Sequence, residues 1–226
     1  MKKFLVLILA IIMVVSVVAC KNEPEQSGSA LPVEEEAGKD ALIEQGAGAK
    51  ALDHTGFKVG VTVNGTGEEG ISVEIGGRNG VYWLTSEDTT LYFAEKDNNT
   101  YMYFTGFWIK VADKSLKDEV FTELVDSLLY NAYDLKDQLV AAGTETKHGR
   151  TCSKYTVSAS EGGKNYSFTM WVDQEFGITM GVEAAAGSEY VAYTINPKLS
   201  GMTDGDTPSG YAEAKACTNF FDQLPM

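Results

Sequence analysis

Residues 149–184, GRTCSKYTVSASEGGKNYSFTMWVDQEFGITMGVEA, alternate apolar and polar side chains and interrupt the alternation at glycines. A period of two puts every second side chain on one face of a pleated strand, so the pattern predicts half-buried strands rather than helix. It places strands over 151–158, 165–173 and 178–185, with turns at Gly162-Gly163 and Gly177, and a further strand over 189–195 after Gly187. Trp171-Val172-Asp173 is strand-end chemistry: an aromatic and a β-branched residue to pack, then an aspartate to hydrogen-bond the turn backbone.

The same period appears upstream. Phe57, Val59, Val61 and Val63 alternate with Lys58, Gly60, Thr62 and Asn64, and apolar runs at about 71–76, 80–86, 89–95 and 100–111 follow between Gly and Asn clusters. This predicts a first antiparallel meander of roughly five strands. Between the two meanders the period changes to three and four. Leu116, Val120, Leu124, Leu128, Ala132, Leu135 and Leu139 mark an amphipathic helix over 114–142, with Asp113 as N-cap and Gly143 as C-cap. Phe121, Val125, Leu129 and Tyr133 widen its apolar stripe, so it must lie against or inside a curved sheet. Residues 40–53 predict a short, glycine-weakened helix, and residues 201–226 a polar loop and a helix from Tyr211 to Asp222.

The segment 149–184 resembles the C-terminal hairpins of lipoproteins built on the LolA/LolB-type half-barrel, through Gly149, Tyr155, Val157, Trp171, Val172, Asp173 and Gly177. The order of tether, short helix, meander, long helix and second meander agrees with it. The resemblance implies an α+β fold, a curved antiparallel β-sheet (half-barrel) wrapped around a long α-helix over residues 40–200. It also implies an apolar cleft for acyl chains or other hydrophobic ligands. Phe57, Val59, Val61, Phe93, Phe104, Phe168, Met170, Met180 and the helix stripe either line such a cleft or fill the core.

The N-terminus speaks to location. Lys2 and Lys3 precede an apolar run from Phe4 to Val18, the layout of a signal peptide and short for a spanning helix. Val17-Val18-Ala19-Cys20 then resembles the lipobox of bacterial lipoproteins, which implies removal of residues 1–19 and lipidation of Cys20. Two or three acyl chains, at about 0.8 kcal/mol per buried CH₂, anchor a domain stably. Residues 20–39 carry Glu, Pro, Ser and Gly with little to bury, and read as an acidic disordered tether, Glu34-Glu35-Glu36 being a solvated charge run. The expected address is extracytoplasmic, lipid-anchored to the cell membrane or outer membrane.

A net charge of −14, more negative still once the leader's two lysines are removed, disfavours anionic lipid surfaces and nucleic acid. Cys152 and Cys217 remain as an even pair in an oxidising compartment, read either as a disulfide tying the C-terminal tail to the domain or as two separate thiols.

Catalytic and metal chemistry find little support. His54 and His148 are the only histidines, without zinc spacing, and Asp53-His54 reads as a surface dipeptide. No nucleophile elbow, phosphate loop or dinucleotide fingerprint occurs. Asp204-Gly205-Asp206 resembles a piece of a calcium loop but lacks its bidentate glutamate. The sequence thus predicts no cofactor, no metal and no catalytic residue. It predicts a binder of a hydrophobic ligand or a lipoprotein, with an envelope interaction module for proteins or polysaccharide as the alternative, and a hydrolase with an unrecognised carboxylate pair as the remote third.

Overall fold

The computed structural model describes residues 41–44, 56–65, 68–161, 164–186 and 189–219. Its strands are β1 (Gly56–Gly65), β2 (Glu68–Arg78), β3 (Val81–Ser86), β4 (Thr89–Lys96), β5 (Asn99–Phe104), β6 (Phe107–Ala112), β7 (Val140–Lys147), β8 (Arg150–Glu161), β9 (Lys164–Asp173), β10 (Thr179–Ala186) and β11 (Glu189–Lys198). They join one open sheet of 11 strands in the order β6-β5-β4-β3-β2-β1-β11-β10-β9-β8-β7. Both expected meanders are present. Positive φ at both central residues of Asn79-Gly80, Asp97-Asn98, Thr105-Gly106 and His148-Gly149 gives turns whose twist matches that of the flanking strands. The run 100–111, read as one strand, is therefore two, folded back on itself at Thr105-Gly106.

The long helix over 114–142 does not form. In its place stand a π-helical turn Lys117–Thr122, helices α1 (Glu123–Leu129) and α2 (Asn131–Asp134), and a 3₁₀ turn Lys136–Gln138. Asp113 caps nothing: the N-cap position is Leu116, without a side-chain bond. The periodic apolar residues are nonetheless buried, including Phe121, Val125, Leu128, Leu129, Ala132, Leu135 and Leu139. Burial of these side chains against the strands decides the path, while local hydrogen bonding is broken and restarted at Tyr130 and Leu135. From Val140 the chain is strand, and Gly143, expected as a helix cap, sits at φ 106° inside the Ala141/Thr144 register shift of β7. It is the residue of a β-bulge, where a side chain would be strained. Helix is also present at 41–44, with Ile43 buried; the rest of the expected 40–53 helix lies outside the described residues.

The described residues divide into two compact units. The first holds residues 41–44, 62–71 and 126–195. One sheet face there carries Tyr155, Met170, Val172, Met180, Val182 and Tyr193, all buried. Asn131 of α2 ties the helical segment to that face: its carbonyl accepts from Thr179 Oγ1 at 2.6 Å and its amide donates to the Tyr193 hydroxyl. On the opposite face Trp171 is buried, its indole N–H donating to Glu145 at 2.8 Å while Lys147 Nζ lies 3.8 Å from the ring centre. That hydrogen bond and the neighbouring Lys147 hold the Glu145 carboxyl below its ordinary pKa.

The second unit holds residues 56–61, 72–125 and 196–219. Here both sheet faces are apolar. One carries Val81, Trp83, Tyr92, Ala94 and Trp108, covered by Tyr211 and Ala214 of the C-terminal helix α3 (Tyr211–Cys217). Trp83 meets Tyr211 edge-on at 5.7 Å, and the Tyr211 hydroxyl donates to Arg78 O at 2.7 Å. Only a glycine fits under Trp83, since a Cβ on Gly76 would lie 2.2 Å from the indole. On the opposite face Phe121 stacks on Tyr82 at 4.9 Å and tilts against Phe93 at 5.7 Å.

Candidate ligand face

That second face continues past Phe93 to the edge of the sheet. Phe93 pairs with Met102, Met102 with Ile109, and Phe104 with Phe107. Partners directly opposite in an antiparallel pair point the same way, while Val111 sits in the register shift between the Tyr101–Lys110 and Thr100–Ala112 pairs. The face therefore runs from Tyr82 and Phe93, under Phe121, to Met102, Phe104, Phe107 and Ile109. Its inner part is covered and its outer part is not: Phe104 is 54% exposed, Phe107 47% and Ile109 40%, with Val111 on the same strand 45% exposed. Phe104 and Phe107 meet edge-on at 6.0 Å at the hairpin tip. Four large apolar side chains together on one strand pair exceed the scattered hydrophobes normal to a surface, and patches of this kind mark binding sites. Chemically the patch offers aromatic and branched aliphatic contact and no nucleophile.

The residues named from sequence for an apolar face separate accordingly. Phe57, Val59, Val61, Met170 and Met180 are buried core, Phe93 and Phe168 are half-buried, and Phe104 stands out in solvent. Phe107, Ile109 and Val111 were missed because 100–111 was read as one strand, which hides the edge. The signal that could have found them was Gly106 between two phenylalanines, a turn residue flanked by aromatics.

A polar hollow of about 350 Å³ lies in the first unit, lined by Gly149, Arg150, Thr151, Asp173, Gln174 and Glu175. Its charges are matched internally. Arg150 donates to both carboxylate oxygens of Asp173, at 2.6 and 3.0 Å, and to Glu175 at 2.9 Å. Those carboxylates raise the guanidinium pKa above its ordinary value. Asp173 also accepts from the backbone N–H groups of Glu175 and Phe176, at 3.1 and 2.7 Å, the turn chemistry expected of Trp-Val-Asp.

Cys20 lies outside the described residues, as do residues 1–40. Cys152 and Cys217 are free thiols in this structure. Cys152 is buried in β8, and its burial, with Asp173 nearby, raises the thiol pKa. Cys217 is half-exposed on α3 and donates to Gly106 O at 3.5 Å. His148 occupies a β-turn at φ 48°, and Asp53-His54 lies outside the described residues. In the Asp204-Gly205-Asp206 loop, Asp206 accepts from Lys198 at 2.7 and 2.8 Å and from Thr203 N and Oγ1 at 2.8 and 2.7 Å. Lys198 first, then Thr203, hold its carboxyl far below the usual range. Asp204 pairs with Arg78. These aspartates strap the loop, which accounts for their spacing. Among the described residues no three His, Cys, Asp or Glu side chains are grouped to hold a metal, and no helix is long and apolar enough to cross a membrane.

No protein-family model matches the chain, and no curated protein matches it. Among solved structures the chain is similar to LprF from Mycobacterium bovis, at 11% identity over 77% of this chain and 97% of that one, with a TM-score of 0.41. It is similar to the lipoprotein LppX from Mycobacterium tuberculosis, at 20% identity over 71% of this chain and 94% of that one, with a TM-score of 0.36. It is also similar to a LolA superfamily protein from Nitrosomonas europaea, at 9% identity over 76% of this chain and 98% of that one, with a TM-score of 0.27.

Proposed function

We propose that this chain is a membrane-anchored, extracytoplasmic lipoprotein whose β-domain, a curved half-barrel, binds a hydrophobic or lipid-like ligand, or a lipoprotein, without catalysis. The observation that carries the reading is the uncovered apolar stripe Phe104, Phe107 and Ile109, continuous with the Phe93–Phe121 contact. An acyl chain laid along it would be removed from water at about 25 cal/mol per Å² of apolar surface. The lipobox motif at Cys20 supports the anchor and the address.

Native mass spectrometry of the chain secreted with a cleavable leader in place of the lipobox tests the ligand. Lipid adducts that disappear in Phe107→Ser/Ile109→Ser support it; adduct-free protein from lipid-rich cells counts against it. Metabolic labelling with a fatty-acid analogue tests the anchor, which requires label on the wild type and none on Cys20→Ala.

A second reading rests on β6 being a terminal strand of the sheet. Its outer backbone edge suits strand addition by a protein partner. In that case crosslinking in cells captures one defined envelope protein through β6, and the purified domain carries no lipid.

A further inference from the structure

The polar hollow of the first unit has walls that are fixed before anything enters it. One wall is Gly149, Arg150 and Thr151 at the start of β8, the other Asp173, Gln174 and Glu175 at the end of β9. The backbone joins them, Gln174 N donating to Thr151 O at 3.0 Å. Asp173, its side chain 1% exposed, braces both, accepting from Arg150 on one side and from the Glu175 and Phe176 N–H groups on the other. Lining groups held this way lose little freedom when a ligand arrives. Several polar groups are left over. The Arg150 guanidinium commits Nε and Nη2 to Asp173 and Glu175, and among the described residues its Nη1 has no hydrogen-bond partner. Gln174 Nε2 donates to Ser153 Oγ at 3.1 Å, which leaves the side-chain carbonyl as an acceptor. Thr151 is exposed, and its hydroxyl can both donate and accept. Phe176 follows in the same turn, 45% exposed, with Arg150 Cζ 4.7 Å from its ring centre.

We propose that this hollow binds one pyranose unit of an uncharged saccharide, with sugar hydroxyls on Arg150 Nη1, Thr151 and Gln174 and a C–H face of the ring against Phe176. Charge selects against the other small polar ligands. One guanidinium stands against two carboxylates, so the hollow repels an anion, and a cation entering it meets the guanidinium. What the leftover groups suit is a neutral molecule that presents donors and acceptors at close intervals, which is the chemistry of a ring of hydroxyls. Such a ring also carries apolar C–H faces, and an exposed aromatic side chain beside converging polar groups offers the matching surface. The volume of about 350 Å³ lies at the lower end of the range for small-molecule sites and suits a single ring. The site draws on none of the residues of the apolar stripe, so the saccharide proposal and the lipid proposal stand or fall separately.

The test uses amide NMR spectra of the chain exported with a cleavable leader in place of the lipobox, titrated separately with D-glucose, N-acetyl-D-glucosamine and D-mannose. At least one sugar moves the Gly149, Thr151, Gln174 and Glu175 signals saturably, with a dissociation constant in the millimolar range expected of so small a ligand. Gln174→Ala and Phe176→Ala, both at exposed positions, each weaken that sugar about 3–10-fold, the loss of one contact. Unchanged signals elsewhere in the spectrum show that both variants are folded. Sodium acetate, sodium phosphate and methylammonium chloride give no saturable shift at the same residues. Saturation by any of these ions, sugar-induced shifts confined to other residues, no saturable shift from any of the three sugars, or unchanged affinity in either variant overturns the proposal.

Discussion

Arg150 and Asp173 face each other across the β8–β9 pair in a two-pronged contact, Nε to Oδ2 at 2.6 Å and Nη2 to Oδ1 at 3.0 Å, with the Asp173 side chain 1% exposed. The same carboxylate fixes the following turn through Glu175 N and Phe176 N. Asp173→Ala therefore removes both a charge partner and a turn brace. Buried pairs broken on one side cost about 3–5 kcal/mol; Arg150 retains some water contact, which places the expected loss at about 2–4 kcal/mol. Asp173→Asn keeps an acceptor for the turn and loses about half as much. Urea denaturation measures both, and equal losses in the two variants would contradict the separate turn contribution.

Gly76→Ala tests the Trp83 seat. In most strands the substitution is neutral or favourable by about 0.5–1 kcal/mol, because glycine carries excess unfolded-state entropy. Here the new methyl meets the indole at 2.2 Å. Trp83 has to move off the hydrogen bond it donates to Glu74 at 3.0 Å. Overpacking of this kind costs about 1–3 kcal/mol, and the melting midpoint falls instead of rising.

Asn131→Ala strands the Thr179 and Tyr193 hydroxyls in a buried site. Unpartnered buried polar groups cost about 1–3 kcal/mol each. Thr179→Val removes one partner while leaving Asn131 to Tyr193, and is expected to cost less than Asn131→Ala. A reversed order in thermal melts would show that the network is not the link between α2 and the sheet.

Alkaline pH acts through the tyrosines. Burial pushes Tyr193, Tyr82, Tyr92 and Tyr211 above the ordinary phenol value, and burial followed by Asp126 pushes Tyr130 up to about 12. A folded pKa above the unfolded one means that the folded state holds the proton more tightly. The stabilisation is complete below the unfolded pKa of about 10 and is lost as pH rises through the folded values. Stability is thus level with respect to these groups up to about pH 10 and falls beyond it. Absorbance titration at 295 nm should separate early-ionising tyrosines from a late group that ionises with unfolding.

The two thiols should differ in reactivity. Cys217 is half-exposed and Cys152 is buried with a raised pKa, and the thiolate is the reacting form. Iodoacetamide on native, unreduced protein is expected to add once, at Cys217, and to add at Cys152 only after denaturation. Absence of any addition before reduction would establish the disulfide between them.

The strands were legible because their signal is local. Alternation at Tyr155, Val157, Met170 and Val172 needs only the strand to know which side is wet, and the turn at Asp173 needs only its own side chain. The segment 114–142 was misread for the converse reason. Its spacing of three and four marks residues that need burial, and burial on a sheet is satisfied by short helical pieces as well as by one long helix. The amphipathic pattern does not register the breaks at Tyr130 and Leu135. The exposed stripe was hidden by a similar ambiguity, since 100–111 reads as one continuous apolar run until the turn at Thr105-Gly106 places Phe107, Ile109 and Val111 on an edge strand.

By itself the amino-acid sequence determined two meanders with their turns and an apolar segment between them, since each depends on contacts a few residues apart. Tertiary structure alone decided which apolar faces are covered, that Gly143 forms a bulge and that Trp83 lies over Gly76. It also decided that Cys152 is buried and that Cys217 is half-exposed. Those outcomes depend on which strand ends the sheet and on what packs across it, and residues far apart in the chain meet only after the hydrogen-bonded order of strands is set.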